Sequence, residues 1–266
     1  MASNCYRVRE QRRTDQFMIQ KAFGIDISAY QYAEGKLIDF DWMKEKSPVK
    51  FVACRAGISW GYTDKWFARN WSELRRVRLP RMAYHVLYFE EDAQKQVDHF
   101  LKLTAPQEGE KLVLDLELDH GLSKAVITAT TKNAIEAIER SVGQKPVLYS
   151  RAMWLDEKIA QEDLPADIEL WLAQYLYPRP APEFTEEHPG PPRLPRVLKN
   201  WKLHQTGEKA SGSAVGVGSR YCDYDRFNGD EVSMRKWFGL GAEPLSLEDR
   251  LEALERRVVL LEARSG

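Results

Sequence analysis

Short apolar runs bounded by charged turns recur along the chain, and most are too short for helices. Residues 22–27, 50–56, 81–87, 111–117, 145–150, 169–175, 200–206 and 220–225 read as eight strands. Two intervening stretches carry a helical period instead. Residues 92–103 place Ala93, Val97, Phe100 and Leu101 on one face, and residues 125–142 do the same with Ile127, Ala134, Ile135 and Ile138. Strands alternating with helices predict a largely parallel sheet with crossover helices. Eight such strands predict an α/β fold, an irregular TIM-like β/α barrel. Barrels of this kind build their sites at the C-terminal strand ends. Polar residues collect there: Asp26, Arg55, Tyr84 with His85, Asp115 with Glu117, Tyr149, Tyr175, Gln205 and Asp223.

The pattern changes at both ends. Residues 1–21 show no clear periodicity and read as an arm or a helix. Residues 22–240 form the predicted barrel. Residues 241–266 hold Leu247, Leu251, Leu254, Val258 and Leu261 at alternating spacings of four and three, a coiled-coil seam. With Leu251 and Val258 at a, Glu248, Glu255 and Glu262 occupy e, and Arg250, Arg257 and Arg264 occupy g. A parallel arrangement sets each arginine against a glutamate, whereas an antiparallel one sets like charges together. Arginine at g with glutamate at the next e resembles a trimerisation signature, so residues 245–264 are expected to form a parallel homotrimer. The competing reading is a lone amphipathic helix folded back on the barrel. Between residues 178 and 195 lie Pro178, Pro180, Pro182, Pro189, Pro191, Pro192 and Pro195, which exclude helix and central strand. That segment is either a stiff surface loop or a lid touching substrate. Residues 212–218 are glycine-bearing but lack the lysine of a phosphate loop, and read as a hairpin connection.

Composition narrows the function. A length of 266 residues suits a β/α barrel, and a hydrophobic fraction of 43% suffices for its core. The net charge of −1 argues against a nucleic-acid surface. Cys5, Cys54 and Cys222 cannot form a closed disulfide framework and suit no zinc site. No signal peptide and no membrane helix is read from the chain, so synthesis in the cytoplasm is expected.

The acids carry the chemistry. Along a strand, Asp115 and Glu117 share one face, roughly 6–7 Å apart. Mutual repulsion and desolvation at a buried strand end raise the pKa of one of them. A protonated acid beside a charged one is what glycoside hydrolysis requires. The bland alternative is an acidic strand end facing a loop. Tyr84, Tyr149, Trp171 and Tyr175 read as a sugar-stacking set rather than core aromatics, because they cluster at strand ends. His85 reads as structural, and a metal held by the acids is not expected. No cofactor is expected.

An ordered set of motifs extends this reading. It runs from Gly24-Ile25-Asp26-Ile27-Ser28 through Arg55-Ala56-Gly57, residues 63–70 and Ala83-Tyr84-His85 to Asp115-Leu116-Glu117. It continues with Tyr149-Ser150, residues 171–175, residues 201–205 and Cys222-Asp223-Tyr224-Asp225-Arg226-Phe227. In this order the chain resembles glycoside hydrolase family 25, lysozymes that cleave between N-acetylmuramic acid and N-acetylglucosamine. The resemblance implies a flattened barrel whose catalytic acids are Glu117, Asp115, Asp26 and Asp223. Glu117 would be the proton donor and Asp115 the partner of the substrate N-acetyl group. It implies substrate contacts from Tyr84, Tyr149, Trp171, Tyr175, Gln205 and Arg55, and a peptidoglycan glycan strand as partner. His204 departs from the aromatic that often precedes the glutamine in that family. With the tail segment, the resemblance leads to a wall-degrading enzyme carried on a phage virion, tail or injection device. The alternative is a wall-binding structural component with little catalysis.

Overall fold

The structure is a computed structural model and describes residues 21–32, 34–175 and 190–241. Nine strands appear among these residues: β1 (Phe23–Ile27), β2 (Phe51–Ile58), β3 (Tyr62–Thr63), β4 (Arg81–Val86), β5 (Lys111–Asp115), β6 (Val147–Ser150), β7 (Glu169–Ala173), β8 (Trp201–Ser211) and β9 (Tyr221–Phe227). The hydrogen-bonded order is β1-β9-β8-β7-β6-β5-β4-β2-β3, and a further β1–β2 pairing closes eight of them into a barrel. β3 stays outside as the second arm of a hairpin on β2. Neighbours around the ring are parallel except at β9, which runs antiparallel to both β8 and β1. Every predicted strand is a barrel strand, and residues 212–218 make the hairpin turn between β8 and β9.

Six helices lie among the described residues: α1 (Phe40–Lys46), α2 (Phe67–Arg76), α3 (Ala93–Thr104), α4 (Lys124–Val142), α5 (Ala152–Lys158) and α6 (Glu231–Trp237). Only α3 and α4 are anticipated by periodicity. Their N-termini are closed by side chains, since Asp92 accepts from Lys95 N and Ser123 from Val126 N. Left-handed Ala105 and Gly143 end them.

Alternation along the strands sorts the core into two layers. Outward residues such as Val52, Cys54, Ala83, Leu112, Leu114, Leu148, Leu170 and Leu172 pack with helical Leu74, Val97, Phe100, Ile127, Ile135 and Ile138. Inward residues Phe51, Ala53, Met82, Val113, Val147 and Leu203 fill the lower barrel, where Met234 of α6 and Phe238 just after it join them. Gly24 makes this filling feasible. A Cβ there would sit 2.4 Å from the ring of Phe51, so glycine leaves room for a phenylalanine inside the barrel.

One pleat step further along the same inward faces, the apolar layer gives way to polar groups. Asp26 follows Gly24, Arg55 follows Ala53, Tyr84 follows Met82, Asp115 follows Val113, Tyr149 follows Val147 and Gln205 follows Leu203. The barrel is thus oily at its N-terminal mouth and polar at its C-terminal one. The predicted coiled coil of residues 245–264 and residues 1–20 of the predicted arm lie outside the described residues, as do residues 176–189 of the proline-rich segment.

Candidate active site

A groove of about 650 Å³ opens at the C-terminal strand ends. Its lining includes all ten residues singled out from sequence: Asp26, Asp115, Glu117, Asp223, Arg55, Tyr84, Tyr149, Trp171, Tyr175 and Gln205. β1 and β9 set Asp26 directly opposite Asp223, and β5 and β6 set Asp115 beside Tyr149. Strand β5 ends at Asp115, two residues short of the predicted limit. The chain stays tied to β6 for one more step, because Leu116 N donates to Tyr149 O at 2.9 Å. Glu117 therefore leaves the sheet just past its edge and still faces the groove.

A polar chain fixes the floor. Tyr149 OH donates to Gln205 Oε1 at 2.7 Å, and Gln205 Nε2 donates to Asp26 Oδ2 at 2.6 Å. Trp171 Nε1 donates to Asp225 Oδ1 at 2.8 Å. The Trp171 ring is itself buried, packed edge-on against Tyr149 and Tyr84, so it braces the floor more than it offers a face. Arg55 is held by Asp64, with Nε at 3.0 Å and a terminal nitrogen at 2.9 Å from Oδ2. The rings of Tyr30 and Tyr62 lie over its guanidinium at 5.1 and 5.9 Å. That cation carries one permanent positive charge into a groove otherwise crowded with acids.

Crowding and burial set the protonation states. Burial, followed by the charge of Glu117, lifts Asp26 to about 7 against the hydrogen bond from Gln205. Burial, then Glu117 and Asp26, pushes Asp115 well above the ordinary carboxylate range, and Arg55 opposes the rise. Asp223 is driven up by burial, Asp26 and Asp225. Glu117 is raised by burial, with Arg151 pulling it down and Glu208 pushing it up. Asp115 Oδ1 is buried and has no hydrogen-bond partner among the described residues, so the site keeps acceptor capacity that these residues do not satisfy.

His85 lies outside the groove lining, fully buried and stacked on Phe100 at 5.2 Å. Burial, then His99, lowers its pKa to about 3, so it is neutral. Among the described residues no group of His, Cys, Asp and Glu is arranged to hold a metal ion.

Two acids escape the sequence reading. Asp225 is wholly buried behind Asp26, and burial followed by Asp26 keeps its pKa far above normal. The signal was present, since Asp223 and Asp225 are two apart on a strand, as Asp115 and Glu117 are. Glu208 lines the groove from β8 beyond the predicted strand end. Register shifts between Gln205 and Gly207 and between Gly207 and Ala210 break the alternation that would turn it away.

Comparison with known proteins agrees with this architecture. The curated protein YegX of Escherichia coli O157:H7 is 26% identical over 221 residues, covering 80% of this chain and 71% of that protein. A family 25 glycosyl hydrolase from Bacillus anthracis superposes with a TM-score of 0.65 at 20% identity, covering 84% of this chain and 94% of the other. A muramidase from Trichobolus zukalii gives 0.65 at 20% identity, covering 82% and 99%. The model for the glycosyl hydrolases family 25 matches residues 25–213, which takes in Asp26, Asp115 and Glu117 and stops before β9. With that match spanning well over half its length, the chain belongs to glycosyl hydrolases family 25.

Proposed function

We propose that the protein is a muramidase that hydrolyses the β-1,4 bond between N-acetylmuramic acid and N-acetylglucosamine in peptidoglycan. The observation that carries this reading is the meeting of Asp26, Asp115, Glu117 and Asp223 in one groove, with the pKa of Glu117 raised and an oxygen of Asp115 unpartnered among the described residues. Glu117, held partly protonated, gives its proton to the departing glycosidic oxygen. The substrate's acetamido carbonyl oxygen attacks the anomeric carbon as that bond breaks, and Asp115 accepts from or steadies the acetamido N–H. Glu117, now a carboxylate, takes a proton from water as the water opens the cyclic intermediate. The product is a new N-acetylmuramic acid reducing end. Substrate assistance replaces the enzyme nucleophile of ordinary retaining glycosidases. Asp26 and Asp223 shape the charge around the pair, and Tyr84, Tyr149, Tyr175, Gln205 and Arg55 orient the sugars.

The heptads of residues 245–264 support a parallel trimer attached to a larger device such as a phage tail, with the barrel as its wall-cutting part. The reading is tested on purified peptidoglycan. Wild type should release N-acetylmuramic acid reducing ends, and a folded Glu117→Gln protein should turn over about 10²–10⁴-fold more slowly. N-acetylglucosamine ends, cleaved peptides, or near-normal turnover by Glu117→Gln would overturn the assignment.

A further inference from the structure

We propose that Trp60 is the platform of an outer sugar-binding subsite that takes an N-acetylhexosamine unit of the glycan strand beyond the groove. The proposal rests on the glycan-cleaving reading above and extends it to substrate length. Trp60 sits in the turn Ser59-Trp60-Gly61 that joins β2 to β3. It is 54% exposed, and among the described residues no aromatic ring packs on it. Yet the ring is not loose. Its Nε1 donates to Glu91 Oε2 at 3.0 Å, joining two loops whose residues are 31 positions apart.

The turn that carries it is held just as firmly. Ser59 adopts a φ of 53°, a left-handed conformation that costs a non-glycine residue energy. Its N–H donates to Val86 O at 3.1 Å, which pins the turn to the end of β4. Ile58, the residue before Ser59, and Val86 both line the groove. The indole therefore stands immediately beyond the groove wall, on the same C-terminal face. Across the turn, half-exposed Tyr62 and strongly exposed Tyr30 lean on Arg55, so this end of the groove carries an aromatic rim.

The hydrogen bond to Glu91 uses only the indole edge, and more than half of the side chain is left open above a strained turn. Such a ring suits a ligand with an apolar face and polar edges. Pyranose rings have this form: their axial C–H faces lie on an aromatic plane while hydroxyl and acetamido groups point to water. The continuity of the indole with the groove makes the same glycan strand the occupant, engaged one or more sugars away from the bond being cut. Binding energy gained there acts on the reaction only for strands long enough to reach it.

The test compares kcat/KM on a peptidoglycan tetrasaccharide and on long glycan strands, for wild type, Trp60→Phe and Trp60→Ala. On long strands Trp60→Ala should lose about tenfold, mainly through KM, with Trp60→Phe retaining most of the activity. On the tetrasaccharide all three should agree within about twofold. No loss on long strands, or an equal loss on both substrates, would overturn the proposal. A second measurement separates it from the cleavage reading: sedimentation of Glu117→Gln with insoluble walls, against Glu117→Gln carrying Trp60→Ala. If wild type cleaved no glycan, the muramidase reading would fail. About tenfold weaker wall binding by the double variant would still support the subsite, and equal binding would refute it.

Discussion

Replacing Asp26 by asparagine should make the protein more stable while removing a group from its site, and the gain should depend on pH. Asp26 is buried, and its pKa rises from 3.8 to about 7, chiefly through desolvation and then through the charge of Glu117. A carboxyl whose folded pKa exceeds its unfolded value holds its proton more tightly in the native state. The penalty on folding is therefore absent below about pH 3.8, grows as pH rises from there, and is complete above about pH 7. Raising the carboxyl from 3.8 to about 7, at about 1.4 kcal/mol per tenfold change in proton affinity, gives about 4 kcal/mol. In a chain of this size that corresponds to a Tm increase of about 10 °C. Asparagine retains an oxygen to accept from Gln205 Nε2, so the floor hydrogen bond survives the change. The assay is thermal unfolding of wild type and Asp26→Asn at pH 8 and again near pH 4. The expected result is a large gain at pH 8 that shrinks towards nothing near pH 4. An equal gain at both pH values would trace the effect to packing, and no gain at pH 8 would mean that Asp26 bears no charge penalty. Either result would refute the reasoning.

Gly24→Ala should destabilise the barrel by about 1–3 kcal/mol, because the new methyl meets the Phe51 ring, and urea midpoints would measure it. For the tail, the mass in solution should be that of a trimer for the full chain and of a monomer without residues 242–266. A full-length monomer or dimer would reject the trimer.

The strands were legible because both faces of each are buried, so they are written as short apolar runs such as Leu112-Val113-Leu114. The long helices α3 and α4 were legible from their apolar period of 3.6. α1, α5 and α6 are seven residues each, too short to establish a period. α2 buries Asn70 beside Phe67, Trp71 and Leu74, so a polar residue interrupts its apolar stripe. Of the acids, Asp115 and Glu117 followed from strand alternation, and the spacing of Asp223 and Asp225 on β9 carried the same signal for Asp225. Glu208 did not, because register shifts in β8 are a property of its pairing with β9 and leave no local mark. The role of Trp171 was hidden for a similar reason: sequence puts it at a strand end, and only its neighbours decide that the ring is a brace.

The antiparallel course of β9 has a consequence for the order in which the site comes into being during synthesis. β9 is the seam between β1 and β8, and it brings Asp223 and Asp225 with it. Asp26 emerges near the start of the chain, while the Gln205 that anchors it lies 179 positions later. A growing chain can assemble much of the parallel wall before then, but its ring stays open and Asp223 and Asp225 are missing. The last strand closes the barrel and completes the charge cluster in one event. A chain interrupted before that strand is therefore unfinished as a fold and as a site together.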